Sequence, residues 1–272
     1  IHKPDAIILD LEDSVSPVEK KSARIIARNA LRHLDFFGAE RMVRINQGKL
    51  GLEDLETIIP HNAHLILVPK VESATQIKKV DETIQKICIK CNRKEPVFLM
   101  PIIESAAGIL NCLSIAKASP NTVAIAIGLE DYTADIGVNR TNKGTESLFA
   151  RSQIVNAARA TGIQAIDTVF SDVNDEKALR ESVNEAKEIG FDGKGCIHPR
   201  QIHPIHEELA PTTAEIERAK KIVSAFNDAS KKGLGVVSLG SKMIDPPVVK
   251  RAQNTMKLAI LNGLAPSNWK SS

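Results

Sequence analysis

Aromatic side chains are scarce: one Trp, one Tyr and seven Phe make up 3% of the 272 residues. Few flat surfaces are therefore on offer for stacking nucleic-acid bases. No charge sign dominates either. The 36 Lys and Arg stand against 33 Asp and Glu, a net charge of +3. No sustained basic stripe is present, so a nucleic-acid partner is not expected. Apolar runs stop short of the ~18 residues a membrane span needs, and no signal peptide opens the chain. Four cysteines in a chain this long do not make a disulfide framework, and a reducing, cytoplasmic setting is the expectation. No strand-like run is followed by GxGxxG or a Walker-type GK[ST], which argues against a nucleotide-phosphate loop. A starting Met is also lacking: the chain opens on Ile1, one short step from a strand, as if an element preceded it.

What is present alternates. Apolar, β-branched runs recur at "AIIL" (6–9), "MVRI" (42–45), "LILV" (65–68), "VFLMPII" (97–103), "VAIAIG" (123–128), "IQAIDTV" (163–169) and "KGCI" (194–197). Helix-compatible stretches separate them, among them "PVEKKSARIIARNALRHL", "ATQIKKVDETIQKICIKC", "SLFARSQIVNAARATG" and "DEKALRESVNEAKEIG". Several of these close on Gly, as helix C-termini do. Continuous apolar strands alternating with helices predict a parallel sheet covered by helices. Seven such units predict an α/β fold of the TIM (β/α)8 type, its first strand lying upstream of residue 1; an open doubly wound sheet is the alternative. The barrel is expected over residues 1–210. Beyond it, residues 211–272 read as a helical extension, a lid or oligomer contact: "TTAEIERAKKIVSAFNDASKKG", a glycine-broken stretch, and "PVVKRAQNTMKLAILNG".

Catalytic groups of such barrels come from the C-terminal ends of the strands, and charge collects at those ends here. "AIIL" runs into Asp10, Glu12 and Asp13; "MVRI" carries Arg44; "LILV" leads to Lys70 and Glu72; "VFLMPII" ends in Glu104; "VAIAIG" ends in Glu130 and Asp131. Carboxylates that converge raise one another's pKa unless a cation intervenes. An all-oxygen donor set with no clustered Cys or His suits a hard ion, Mg²⁺. Glu104 and Asp131 are the expected direct ligands, with Glu12 and Asp13 held through water and Asp10 in a supporting role. Arg44, a planar fork, suits a substrate carboxylate; Lys70 could do the same as a point charge, or offset the acids.

"DAIILDLEDSV", "VRIN", "VPKVES", "PIIES", "AIGLEDYTADIG", "FDGKGCIHPRQI" and "GSKMIDPPVVKRA" together resemble the CoA-ester lyases of the citrate lyase β-subunit type, in the HpcH/HpaI aldolase/citrate lyase family. The likeness covers essentially the whole chain. It tightens toward the citryl-thioester-cleaving members through "RTNKGTESLFARSQIVNAARATGIQAIDTVFSDVND" and "GLGVVSLGSKMID". It implies a TIM barrel, Mg²⁺ on Glu104 and Asp131, and retro-Claisen cleavage of a citryl thioester, on CoA or on an acyl carrier, to oxaloacetate and an acetyl thioester. It also implies that Arg44 holds the oxaloacetate carboxylate, that Gly128 and His198 line the substrate site, and that Asp245 is an acid/base offered by a neighbouring subunit. The implied partners are a transferase α subunit, an acyl-carrier γ subunit and further copies of the chain in a trimer or hexamer. The family's opening strand of the type "LFVPG" has no counterpart here.

Some features invite other readings. Asp245 before two prolines is also a helix start signal. "CIKC" (Cys88, Cys91) lacks the second pair a zinc site needs, and Cys112 and Cys196 read as small buried hydrophobes. In "HPRQIHPIH" the prolines are expected to break the helix that would align His203 with His206. Arg151 reads as a helix-face ion pair and Asp167 as a possible support to the site. Competing functions are a free-standing citramalyl- or malyl-CoA lyase, a silent CoA-ester-binding subunit, and a pyruvate-type aldolase.

Overall fold

A computed structural model describes residues 2–231, 237–239 and 242–269. The chain divides into two compact units, Ile1–Ile205 and His206–Ser272. The first unit alternates strand and helix: β1 (Ala6–Asp10), α1 (Lys20–His33), β2 (Glu40–Arg44), α2 (Gly48–Ile58), β3 (Leu65–Val68), α3 (Ala74–Lys90), β4 (Phe98–Ile103), α4 (Ala106–Ala116), β5 (Ala124–Ile127), α5 (Leu129–Asp135), α6 (Leu148–Thr161), β6 (Gln164–Asp167), α7 (Glu176–Ile189) and β7 (Gly193–Lys194). All seven strands are parallel and pair in sequential order, β1 to β7. A doubly wound sheet would reverse its order at a switch point. That alternative is excluded.

Alternation along the strands sorts residues between two cores. Val43, Ile66, Leu99, Ile103 and Ile125 face the helices and join one large cluster with Leu31, Leu55, Ile84, Ile109 and Ile154. Leu65, Leu67, Met100, Ile102, Ala124 and Ala126 form a second cluster, flanked by Met42, Phe98, Val123 and Ile166. That second cluster contains no helical residue, so this face of the sheet packs against itself. A sheet does so only by curling, as in a barrel. Each fully buried Leu or Ile contributes roughly 1.5–3 kcal/mol.

Helix termini follow local chemistry. Ser105 caps α4, its Oγ accepting from the Gly108 amide at 3.1 Å; Ser73 and Gln76 form a capping box on α3; α6 and α7 end on left-handed Gly162 and Gly190. Two expectations fail. The run at 194–197 yields only the two-residue β7, which pairs with β6 at Gly193 and Lys194. Cys196 thus lies beyond the strand and is exposed instead of buried. A helix α8 (Ile202–Leu209) does form through "IHPIH". Pro204 sits in its first turn, where a missing N–H breaks no helical bond.

In the second unit α9 (Thr213–Lys231) and α10 (Pro246–Leu261) pack through Ile216, Val223, Val249, Met256 and Ala259. Between them lies an antiparallel hairpin, β8 (Val237–Leu239) and β9 (Lys242–Ile244), where sequence reading expected no strand. Part of the glycine-broken stretch lies outside the described residues. Among the described residues, no helix is long and apolar enough to cross a membrane.

Candidate active site

Asp10 and Arg44 stand opposite each other at the ends of β1 and β2, so their side chains meet. The guanidinium grips the carboxylate twice, Nε to Oδ1 at 2.7 Å and Nη2 to Oδ2 at 2.6 Å. Asp10 also accepts from the Glu12 and Ser14 amides. Burial by itself would raise its pKa, but these hydrogen bonds outweigh burial and hold Asp10 well below the usual carboxylate range. Asp10 is therefore taken up in holding Arg44 and the β1 turn. Arg44 keeps only its Nη1 side for other work, 3.1 Å from Glu12 Oε2 and 3.8 Å from Asp13.

The β1 turn is braced from below. Lys20 Nζ donates to the Leu11 and Glu12 carbonyls, and Gln47 Nε2 donates to Glu12 Oε1 at 3.0 Å. Asp54, fully buried on α2, accepts from the Asn46 amide and side chain and from Arg24 Nε, which fixes the segment after Arg44. Sequence reasoning missed Lys20, Gln47, Asn46 and Asp54. The one visible signal was "INQG", a polar run directly behind an apolar strand.

Glu12 and Glu104 are the buried acids of the mouth, 4% and 7% exposed. Burial, reinforced by Asp13, raises the Glu12 pKa against the opposing Gln47 hydrogen bond and the Arg44 charge. Burial lifts Glu104 to about 7 despite a hydrogen bond from the Lys70 amide, and the charges of Asp131 and Glu12 add to the rise. Gly128, between β5 and α5, lies flat against Glu104. A Cβ built there would fall 2.8 Å from Glu104 Cγ and 3.0 Å from Cδ, closer than side chains tolerate. Lys70 completes the group: Nζ lies 3.2 Å from Asp131 Oδ1 and 3.9 Å from both Glu12 and Asp13. Burial opposes its charged form, but the hydrogen bond and charge of Asp131 prevail, and its pKa is raised.

Other predicted acids do not join. Glu72 Oε1 accepts from Ser105 Oγ at 2.7 Å, and Glu130 Oε1 accepts from Arg140 and Ser171. The seven-carboxylate mouth thus reduces to Glu12, Asp13, Glu104 and Asp131 around Lys70. The His198 ring accepts from the Arg200 amide at 3.2 Å and caps a short helical turn, Pro199–Gln201. Asp245 caps α10, accepting from the Val248 amide at 3.1 Å ahead of Pro246 and Pro247. Arg151, on α6, forms the ion pair expected of it, and the pair is buried. It grips Asp167 through two hydrogen bonds, at 3.1 and 3.0 Å, with Lys194 Nζ at 2.8 Å on the same carboxylate, all three side chains buried. Asp167 is consumed there and does not support the acid cluster.

The acid cluster fits a hard divalent ion chemically. Every donor is oxygen, Glu12 Oε2 is buried beside Arg44 Nη1 yet makes no hydrogen bond, and burial together with the charges of Asp131 and Glu12 raises Glu104, which a cation would relieve. Among the described residues no three His, Cys, Asp or Glu side chains converge on one point. An ion here would take two carboxylates, Glu104 and Asp131, and draw its other ligands from water and substrate, as Mg²⁺ commonly does.

Residues 1–199 match the family model of HpcH/HpaI aldolase/citrate lyase. Over 268 residues, 97% of this chain and 88% of the relative, the chain is 41% identical to citrate lyase subunit beta of Escherichia coli K12. It is 34% identical over 267 residues to the mitochondrial citramalyl-CoA lyase of Homo sapiens, covering 94% and 78% of the two chains. A solved structure of CitE from Mycobacterium tuberculosis, in complex with magnesium, acetoacetate and coenzyme A, is similar with a TM-score of 0.77 and 30% identity, covering 94% of this chain and 90% of that one.

Proposed function

This chain belongs to the HpcH/HpaI aldolase/citrate lyase family of carbon–carbon lyases, and from that membership and the acid cluster we propose that it cleaves a citryl thioester into oxaloacetate and an acetyl thioester, as the β subunit of a citrate lyase. The supporting observation is the buried Glu104, held by the Lys70 amide and lifted to about 7 beside Asp131 and Glu12. A carboxylate so desolvated next to other acids is poised to hold a cation, not to stay charged alone. Mg²⁺ bound by Glu104 and Asp131 would act as a Lewis acid on the substrate hydroxyl and carboxylate. Glu12 and Asp13 orient water around that position.

The chain's own groups carry the rest. Arg44, locked by Asp10, presents Nη1 to the oxaloacetate carboxylate, so binding energy becomes positioning. Asp245, offered by a neighbouring copy of the chain, takes the tertiary hydroxyl proton as the C–C bond breaks. The electron pair of that bond passes into the thioester enolate, whose carbon then recovers a proton from Asp245. Gly128 and His198 border the thioester arm, delivered by an acyl-carrier γ subunit after loading by a transferase α subunit, in an assembly of several copies of this chain.

The test compares kcat/KM for citryl-CoA, (S)-citramalyl-CoA and malyl-CoA. Preference for the citryl ester by tenfold or more is expected. Preference for (S)-citramalyl-CoA would instead support a free-standing lyase, the second reading, which the 34% identity to citramalyl-CoA lyase favours. Glu104→Ala and Asp131→Ala should each abolish Mg²⁺-dependent cleavage with the far-UV circular dichroism unchanged; near-normal turnover in either removes the metal assignment.

A further inference from the structure

Lys70 acts on all four acids of the mouth, by two different groups. Its amide donates to Glu104 Oε2 at 2.8 Å, while its ammonium faces Asp131, Glu12 and Asp13. The backbone at Lys70 is left-handed, φ 50°, a region that residues with side chains seldom occupy. In this conformation a single residue brings both donors onto one acid cluster. The ammonium is the internal counter-ion of Asp131, and a divalent cation would seek the same oxygens. An ammonium 3.2 Å from Asp131 Oδ1 and a divalent cation on the same carboxylate repel each other, so the two compete for it. The Lys70 side chain is about a third exposed (32%) and ends a flexible stem, so it is free to leave. Arg44 has no such freedom, because Asp10 holds its Nε and Nη2.

We propose that Lys70 is an exchangeable counter-ion: it neutralises the acid cluster in the metal-free protein, yields Asp131 to the divalent cation, and then pairs with a carboxylate of the substrate. This rests on the reading of Glu104 and Asp131 as the cation-binding pair. Cation and substrate dianion therefore bind with positive coupling, since each makes the other's partner available. The released ammonium gives the site a second anion anchor beside Arg44 only after the metal has entered. The order of loading is built into one side chain.

The experiment measures Mn²⁺ binding to the whole protein by electron paramagnetic resonance of the free ion, with and without oxaloacetate. It is run on the wild type, Lys70→Met, Lys70→Arg and Glu104→Ala. Lys70→Met removes the competitor and should bind Mn²⁺ alone about tenfold tighter, as expected for loss of one nearby charge. Oxaloacetate should tighten Mn²⁺ binding in the wild type, and by at least fivefold less in Lys70→Met; Lys70→Arg should behave like the wild type. Equal Mn²⁺ affinity and equal oxaloacetate enhancement in Lys70→Met and wild type would overturn the exchange while leaving the metal reading standing. Absence of Mn²⁺ binding to the wild type, or undiminished binding to Glu104→Ala, would overturn the metal reading and this proposal with it.

Discussion

At the scale of single residues, Glu104 sets the behaviour of the site. Its pKa in the folded protein, about 7, lies above the 4.5 of an exposed glutamate. Between those values the folded state binds more protons than the unfolded one, so on this group's account stability is present below about pH 4.5 and is lost as pH rises through about 7. The shift corresponds to about 3 kcal/mol. In EDTA, urea unfolding at pH 5 and pH 7.5 should show a larger stability loss for the wild type than for Glu104→Gln, which cannot ionise; equal losses would contradict the assignment. Gly128 is the second lever. Its φ is ordinary, −109°, so glycine is needed there for space and not for backbone freedom. Gly128→Ala should push the Glu104 carboxylate aside. A drop of about 10²-fold in kcat/KM, typical of a misplaced catalytic group, should come with weakened Mn²⁺ binding and unchanged circular dichroism. The strand-end acids were legible one by one, but which of them gather around Lys70 was not. Glu72 and Glu130 look identical to Glu104 in sequence, and it is Ser105 for the one and Arg140 with Ser171 for the other that take them away.

At the scale of elements, Asp167 ties β6 to α6 and β7 by accepting from Arg151 and Lys194. Burial depresses the Lys194 pKa and the Asp167 charge opposes that fall. Asp167→Ala would strand the buried Lys194 and leave Arg151 with Glu185 alone, and breaking a buried ion pair costs about 3–5 kcal/mol. Denaturant titration should show that loss, whereas Lys194→Met, which leaves Asp167 paired with Arg151, should cost clearly less. In the second unit Asp245 allows cap and chemistry to be separated. Asp245→Ala should cost α10 about 1 kcal/mol. Asp245→Asn keeps an accepting oxygen for the Val248 amide and should keep most of that stability while losing turnover. Full activity in Asp245→Asn would leave Asp245 as a cap alone. The cap was legible because Asp-Pro-Pro carries its own geometry. The Arg151–Asp167–Lys194 triad was not: its members lie 16 and 27 residues apart, and no local pattern marks them as neighbours.

At the scale of the molecule, the chain builds separate apolar cores in its two units. Trp269, its one tryptophan, packs against the second core with Met256. Met256→Ala should therefore lower the midpoint of the fluorescence transition reported by Trp269, with a loss of about 2–5 kcal/mol. The alternation of apolar strands with amphipathic helices was readable because strand and helix periodicities are local properties of the chain. From them followed a parallel α/β sheet, strand ends rich in charge, and the expectation of a hard cation. Family resemblance added the reaction. Tertiary structure alone decided the strand order that excludes a doubly wound sheet, the capture of Arg44 by Asp10, the gathering of four acids around Lys70, and the space at Gly128 that admits Glu104. The physical reason is one of range. Periodicity, caps and turns are settled among residues a few positions apart, whereas charge pairing and desolvation depend on which distant residues the fold brings within hydrogen-bond reach, and on the water it removes from between them.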